Sequence, residues 1–256
     1  MSIKGIIFDF GFTLFYFDNP SVERYYECFK RGLLKSIDIL KEMNIWNEKI
    51  TNESFLRIFS KKREHFFRKS IKTKLEYPTS VVFQDVLDSL KKEQIINNLE
   101  NLTEHSLKEL ADIYHSCEED EWQPFEKTEA TLEKLVLKGI KIALISNHPN
   151  HKTIKRILKK HDLLKFFDVV ITSAKFGKRK PDPHIFHYTL ERMGLKGQVD
   201  AVIMCGDEYA DIIGAQRANI QSVLFERKYK FPFEKEIEQS NLRKISNISE
   251  ILNFIK

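Results

Sequence analysis

A short apolar run that breaks on a carboxylate constrains this chain more than any other feature. The stretch Ile3-Lys4-Gly5-Ile6-Ile7-Phe8-Asp9-Phe10-Gly11-Phe12-Thr13-Leu14 begins with the β-branched and aromatic content of a strand buried on both faces, and Asp9 interrupts the run at its carboxyl end. A charge does not belong inside a buried strand, so Asp9 is expected at the strand tip, where open α/β sheets bind ligands. Gly11 follows, permitting an unusual turn or a close backbone approach. Comparable runs return only much later in the chain: Ile140 to Ile145 ending in Ser146-Asn147, Phe167 to Ile171, Ala201 to Cys205 ending in Gly206-Asp207, and Ile220 to Phe225. Helical patterns separate them, one closed by Gly139 and another, His184 to Met193, by Gly194. Strands alternating with helices imply an α/β fold: a three-layer core with a mostly parallel sheet covered on both faces.

Between the first strand and the rest, the pattern is helical throughout. Asn19-Pro20 offers an N-cap followed by proline at the first helical position. Val22, Tyr25, Tyr26, Phe29, Leu33, Ile37 and Leu40 then hold one apolar stripe. Further stripes carry Phe55, Phe59 and Phe66; Val82, Val86 and Leu90; and, from near Thr103, Leu107, Leu110 and Tyr114. Such stripes are core rather than a cofactor box. The expected organisation is therefore an α/β domain made of residues 1–17 and 124–256, with an all-helical domain, residues 18–123, inserted into it. Junctions near Phe17 and from Gln123 to Phe125 would be hinges, and an insertion at the carboxyl end of a strand is placed to act as a lid. Ser249 and Glu250 open a short final helix through Phe254.

At 256 residues the chain can bury one good core and carry a second, smaller domain. A net charge of +5, spread along the chain, favours phosphate-bearing small molecules. The Lys152 to Lys160 run reads as a solvated helix face with Ile154, Ile157 and Leu158 inward. With no aromatic platform and no zinc spacing, nucleic acid is not an expected partner. Cys28, Cys117 and Cys205 show no metal-like spacing, and reduced thiols in a cytoplasmic protein are the expectation. No apolar run approaches membrane-spanning length and Asp9 breaks the only candidate for a leader, so a soluble monomer or homodimer is expected.

The polar groups at the strand ends define a chemistry. Asp9, Ser146-Asn147 and Asp207 each end a strand; Asp211 follows Asp207 on one side of a turn or helix start; Lys180 precedes the rigid corner Pro181-Asp182-Pro183. Each alone reads as a cap or turn residue, but together they occupy one edge of one sheet. Three carboxylates brought together repel and need a cation to stay ionised. Mg²⁺ suits them, since it takes oxygen ligands and keeps waters and a phosphate oxygen. The Gly11 carbonyl is a further candidate oxygen, and Ser146, the Asn147 amide and Lys180 supply donors around an incoming anion. One carboxylate is left to attack through an acyl-phosphate intermediate.

The order Asp9-Phe10-Gly11-Phe12-Thr13-Leu14, Ser146-Asn147, Lys180-Pro181-Asp182-Pro183 and Gly206-Asp207 with Asp211 resembles the haloacid dehalogenase superfamily, with all four of its motifs in order. The resemblance implies a Rossmann-like core with a helical cap, and a Mg²⁺-dependent phosphohydrolase acting on a small phosphorylated metabolite. It implies that Asp9 is nucleophile and metal ligand, joined at the metal by the Gly11 carbonyl, Asp207 and Asp211. Thr13 would support the first loop, Ser146 would bond a phosphoryl oxygen, and Lys180 would hold Asp9 and the phosphate together. Gly11 is the departure, because the family's phosphatases usually carry a second Asp there as general acid and base. That group is typically worth about 10²–10⁴-fold in rate. Three accounts follow: a phosphatase in which a cap residue or His148 serves instead, a non-catalytic binding protein, or a carbon–halogen hydrolase, since halide needs no proton to leave. Asp207 and Asp211 speak against the last, as does Phe186 where dehalogenases tend to carry Tyr. Arg24, Arg31, Arg57 and Arg63 are candidates for gripping the remainder of the substrate.

Overall fold

The computed structural model describes residues 2–96, 98–227, 229, 235–237 and 241–255. The chain opens with strands β1 (Gly5–Phe8) and β2 (Phe15–Phe17), followed by helices α1 (Val22–Glu42), α2 (Asn52–Thr73), α3 (Thr79–Lys92), α4 (Glu104–Tyr114) and α5 (Glu118–Glu121). Then come β3 (Trp122–Pro124), α6 (Thr128–Leu137), β4 (Lys141–Ser146), α7 (His151–Lys160), β5 (Val169–Thr172) and α8 (Ser173–Phe176). α9 (Pro183–Arg192), β6 (Val202–Gly206), α10 (Tyr209–Arg217), β7 (Gln221–Phe225) and β8 (Arg243–Ile245) complete the order, before a 3₁₀ turn, Ile248–Phe254. Two compact units result: Met1–Asp18 with Trp122–Lys256, and Asn19–Glu121.

The first unit is a six-stranded parallel sheet in the order β5-β4-β1-β6-β7-β8, sandwiched by helices. β1 lies at its centre because all four of its residues are apolar or glycine and buried, leaving no polar edge to face solvent. Ile7 pairs in register with Ala143 on one side and Met204 on the other, and packs with Ile145, Ile185 and Phe186 beneath the sheet. Two features escape the sequence pattern. β8 adds an edge strand with only Ile245 turned inward. β2 and β3 form a separate antiparallel ribbon that pairs Phe15 with Pro124 and Phe17 with Trp122. The two expected hinges are thus hydrogen-bonded to each other, and the rings of Phe17 and Trp122 meet edge-on at 5.2 Å.

The second unit is a helical bundle in which α1 packs on α4, α4 on α3 and α3 on α2. Its core is built from Ile37, Phe55, Phe59, Phe83, Val86 and Tyr114. Ser21, rather than Asn19, caps α1: its hydroxyl accepts the Arg24 N–H at 3.0 Å, while Asn19 sits in the left-handed region with φ 45°. Thr51 and Thr103 cap α2 and α4 in the same way. The expectation of three reduced thiols is overturned, since Cys28 on α1 and Cys117 form a disulfide across 89 residues. The fold brings their Cα atoms to 5.6 Å, a proximity that no local spacing encodes. Three of the four candidate arginines are engaged within this unit: Arg24 and Arg31 pair with the buried carboxylate of Glu121, and Arg63 stacks 4.2 Å over the Phe29 ring. Among the described residues no helix is long and apolar enough to cross a membrane.

Candidate active site

The sheet order dictates the site. With β1 between β4 and β6, the tip carrying Asp9 is flanked by the tips carrying Ser146 and Asp207. The Asp9 N–H continues the ladder by donating to the Cys205 carbonyl at 2.9 Å. The chain then turns back sharply: Phe12 adopts φ 59°, and the N–H groups of Leu14 and Phe15 both donate to the Phe10 carbonyl. This turn delivers Thr13, fully buried, to the neighbouring strand tip, where its hydroxyl donates to Asp207 Oδ1 at 2.7 Å. Asp211 reaches the same place from the first turn of α10, its Oδ2 accepting the Glu208 N–H at 3.0 Å. A Cβ at position 206 would lie 2.3 Å from the Asp211 carboxyl carbon, so only glycine lets that carboxylate fold against the strand tip.

Lys180 ties the set together. Its ammonium, 4 % exposed as a residue, lies 2.5 Å from Asp9 Oδ1, 2.5 Å from Asp211 Oδ1 and 2.8 Å from the Ile145 carbonyl. Asn147 fixes the lysine's backbone: Asn147 Oδ1 accepts the Lys180 N–H at 2.8 Å, and its amide donates to the Lys180 carbonyl at 3.0 Å. Through these two bonds the Asn147 side-chain amide positions Lys180. The Lys180-Pro181 peptide is cis, and Asp182 caps α9 by accepting the His184 N–H at 2.9 Å. Ser146 ends β4, largely buried, in register with Thr172. His148, just beyond, has Nδ1 2.7 Å from the Asn150 carbonyl. Phe186 is wholly buried and packs against the slot above Gly214.

One oxygen from each of Asp9, Asp207 and Asp211 lies within 4.8 Å of the others. Burial pushes Asp9 up to about 7, with the Asp211 and Glu208 charges adding to the shift and Lys180 opposing it. Burial likewise raises Asp207 well above the carboxylate range, with Asp9 and Glu208 adding and Arg227 opposing. Burial alone would lower Lys180, but Asp211 and Asp9 outweigh it and hold the ammonium above its ordinary value. Asp207 Oδ2 and Asp211 Oδ1 are buried without an aligned hydrogen bond; each meets a charge instead, Arg227 Nη1 at 2.8 Å and Lys180 Nζ at 2.5 Å. A donor set made of carboxylate oxygens, strained by mutual repulsion and short of hydrogen bonds, fits a hard divalent cation.

Two residues of the site carry no signal that the motif reading used. Trp122 is the first: a Cβ on Gly11 would lie 2.9 Å from its Cη2, so its indole fills the space beside Gly11. That indole is wedged edge-on between Phe10, Phe12 and Phe17 at 5.2–5.4 Å. Arg227 is the second. It lies two residues beyond the half-buried β7, after Glu226.

The family model for haloacid dehalogenase-like hydrolases matches residues 45–225. Over 145 residues the chain is 31% identical to a glyceraldehyde 3-phosphate phosphatase of Methanothermobacter thermautotrophicus, a match covering 54% of this chain and 63% of that protein. Across the first curated relatives the match spans 40–63% of their length. A glyceraldehyde 3-phosphate phosphatase of Methanocaldococcus jannaschii aligns at 26% identity over 99% of this chain and 97% of its own. Among solved structures, a 2-haloacid dehalogenase from Pseudomonas syringae superposes with a TM-score of 0.66 at 21% identity, covering 98% of this chain and 97% of that one, which is a likeness of fold.

Proposed function

Because the chain belongs to the haloacid dehalogenase-like hydrolase family, we propose that it is a Mg²⁺-dependent phosphohydrolase acting on a small phosphorylated metabolite through Asp9. The observation that carries this reading is the convergence of three buried carboxylates on adjacent strand tips, with one of them, Asp9, pinned by Lys180. Asp9, Asp207, Asp211 and the Gly11 carbonyl would hold Mg²⁺, which when bound neutralises charge on the transferring phosphoryl group. Thr13 fixes Asp207 through its hydroxyl. Lys180 and the Ser146 hydroxyl orient the phosphoryl oxygens. A carboxylate oxygen of Asp9 forms a bond to phosphorus while the bond to the leaving oxygen breaks. Water then cleaves the aspartyl phosphate, releasing phosphate and regenerating Asp9. The similarity to glyceraldehyde 3-phosphate phosphatases makes that compound the first metabolite to try.

Trp122 beside Gly11 favours a second reading, a protein that binds without turning over, because the space where the family's acid–base carboxylate would stand is occupied by indole. One experiment separates the two: hydrolysis of p-nitrophenyl phosphate and a phosphometabolite panel, with and without Mg²⁺, by wild type and Asp9→Asn. Mg²⁺-dependent phosphate release that disappears in Asp9→Asn is the expected outcome. No release from any substrate by the folded wild type overturns the enzyme reading and leaves the binding one.

A further inference from the structure

Arg227 has no place in the chemistry above, yet it is buried in its centre. β7 pairs in parallel with β6, Leu224 opposite Gly206, so the chain leaving β7 passes the tip that carries Asp207. The Glu226 N–H donates to the Ile245 carbonyl of β8 at 2.8 Å, which anchors the backbone immediately before Arg227. From there Arg227 Nη1 reaches Asp207 Oδ2 at 2.8 Å, the two side chains being 3 % and 1 % exposed. The guanidinium lies 5.1 Å over the Phe12 ring, an aromatic face that favours a cation. Thr13 already occupies Asp207 Oδ1. Oδ2 takes no such hydroxyl, and Arg227 is on it.

We infer that Arg227 is an internal counter-ion that competes with the divalent cation for Asp207, so that the guanidinium must leave Oδ2 for the metal to take it. The inference rests on the metal site of the proposed function. Two cations crowded onto one buried carboxylate oxygen repel, and the chain keeps the guanidinium within reach of that oxygen. The coupling is reciprocal: the factor by which metal weakens the Arg227–Asp207 contact is the factor by which Arg227 weakens metal binding. In this arrangement Arg227 holds the carboxylate cluster together when metal is absent and sets the concentration at which metal enters. It is a positioning residue, acting on Asp207 rather than on substrate. A residue that merely ordered Asp207 for the metal would have the opposite effect on metal affinity, which makes the sign decisive.

The test is Mg²⁺ titration by calorimetry on the full chain as wild type, Arg227→Gln and Arg227→Lys, with thermal melts at zero and saturating Mg²⁺. Arg227→Gln is expected to bind Mg²⁺ about tenfold more tightly or better, to melt lower than wild type without metal, and to gain more on adding it. Arg227→Lys, which keeps the charge, is expected near wild type. Equal or weaker Mg²⁺ binding by Arg227→Gln overturns the inference while leaving the metal site standing. Absence of Mg²⁺ binding in all three proteins is a different failure, that of the metal reading itself, and takes the inference with it. If Arg227→Gln does not fold, ¹⁵N-arginine-labelled wild type decides. Mg²⁺ is expected to shift the one Nε signal that is missing in Arg227→Lys, and an unmoved signal at saturating metal overturns the competition.

Discussion

At the scale of single residues, Gly11 and Trp122 make a prediction about leaving groups. With indole packed beside Gly11, no carboxylate at that position can give a proton to a departing oxygen. A p-nitrophenolate leaves without one, whereas a sugar or triose alkoxide needs one. The missing general acid is typically worth about 10²–10⁴-fold. Steady-state kinetics on paired aryl and alkyl phosphates are expected to show the aryl ester turning over faster by about 10² or more. Matching kcat values would contradict this and mean that another group, His148 being the candidate named above, supplies the proton. Asp9 and Asp207 are legible because each lies just past an apolar run and strand tips of a parallel sheet share one edge, and Asp211 because it follows Asp207 by four residues. Sequence reasoning cannot reach Trp122 or the bonds that Asn147 makes to Lys180. Those depend on which side chains meet across residues 11 and 122, or 147 and 180, and neither periodicity nor motif order carries that information.

At the scale of elements, the start of α7 makes a prediction about pH. Asn150 caps it by accepting the Thr153 N–H at 3.1 Å, and His151, the first helical residue, turns its Nδ1 toward Thr172 Oγ1 at 3.2 Å. Burial holds His151 down at about 4, helped by Lys155, Lys175 and His148. The folded value lies below the ordinary 6.5, so the stability involved is fully present above pH 6.5 and is lost as pH falls toward 4. Because the ring is half-buried and solvent screens it, the loss is about 1–2 kcal/mol rather than the roughly 3 kcal/mol of an unscreened shift. Urea denaturation at several pH values is expected to show His151→Gln losing less than wild type over this window; parallel curves would contradict it. The elements the sequence hides are the shortest ones. β2, β3 and β8 have three residues each, too few for an alternating pattern to register. The longer helices announce themselves through their apolar stripes, though the Thr51 cap of α2 shows only in the structure.

At the scale of the whole chain, one early strand followed by a long helical stretch and a strand–helix alternation is legible as a parallel sheet with a helical insertion. The strand order is not, yet it matters most, because placing β1 between β4 and β6 is what assembles the site. The Cys28–Cys117 disulfide is equally invisible, for it follows from the turn after α4 packing against α1 rather than from any cysteine spacing. The central claim remains chemical, that Asp9 forms a covalent bond to phosphorus. It is tested most directly by quenching the enzyme in acid during turnover of a phosphate-labelled substrate and mapping the label by peptide mass spectrometry. The account predicts a hydroxylamine-sensitive phosphoryl group on the peptide containing Asp9, formed only with Mg²⁺ and absent from Asp9→Asn. Label on any other residue, or steady turnover by Asp9→Asn, would contradict it.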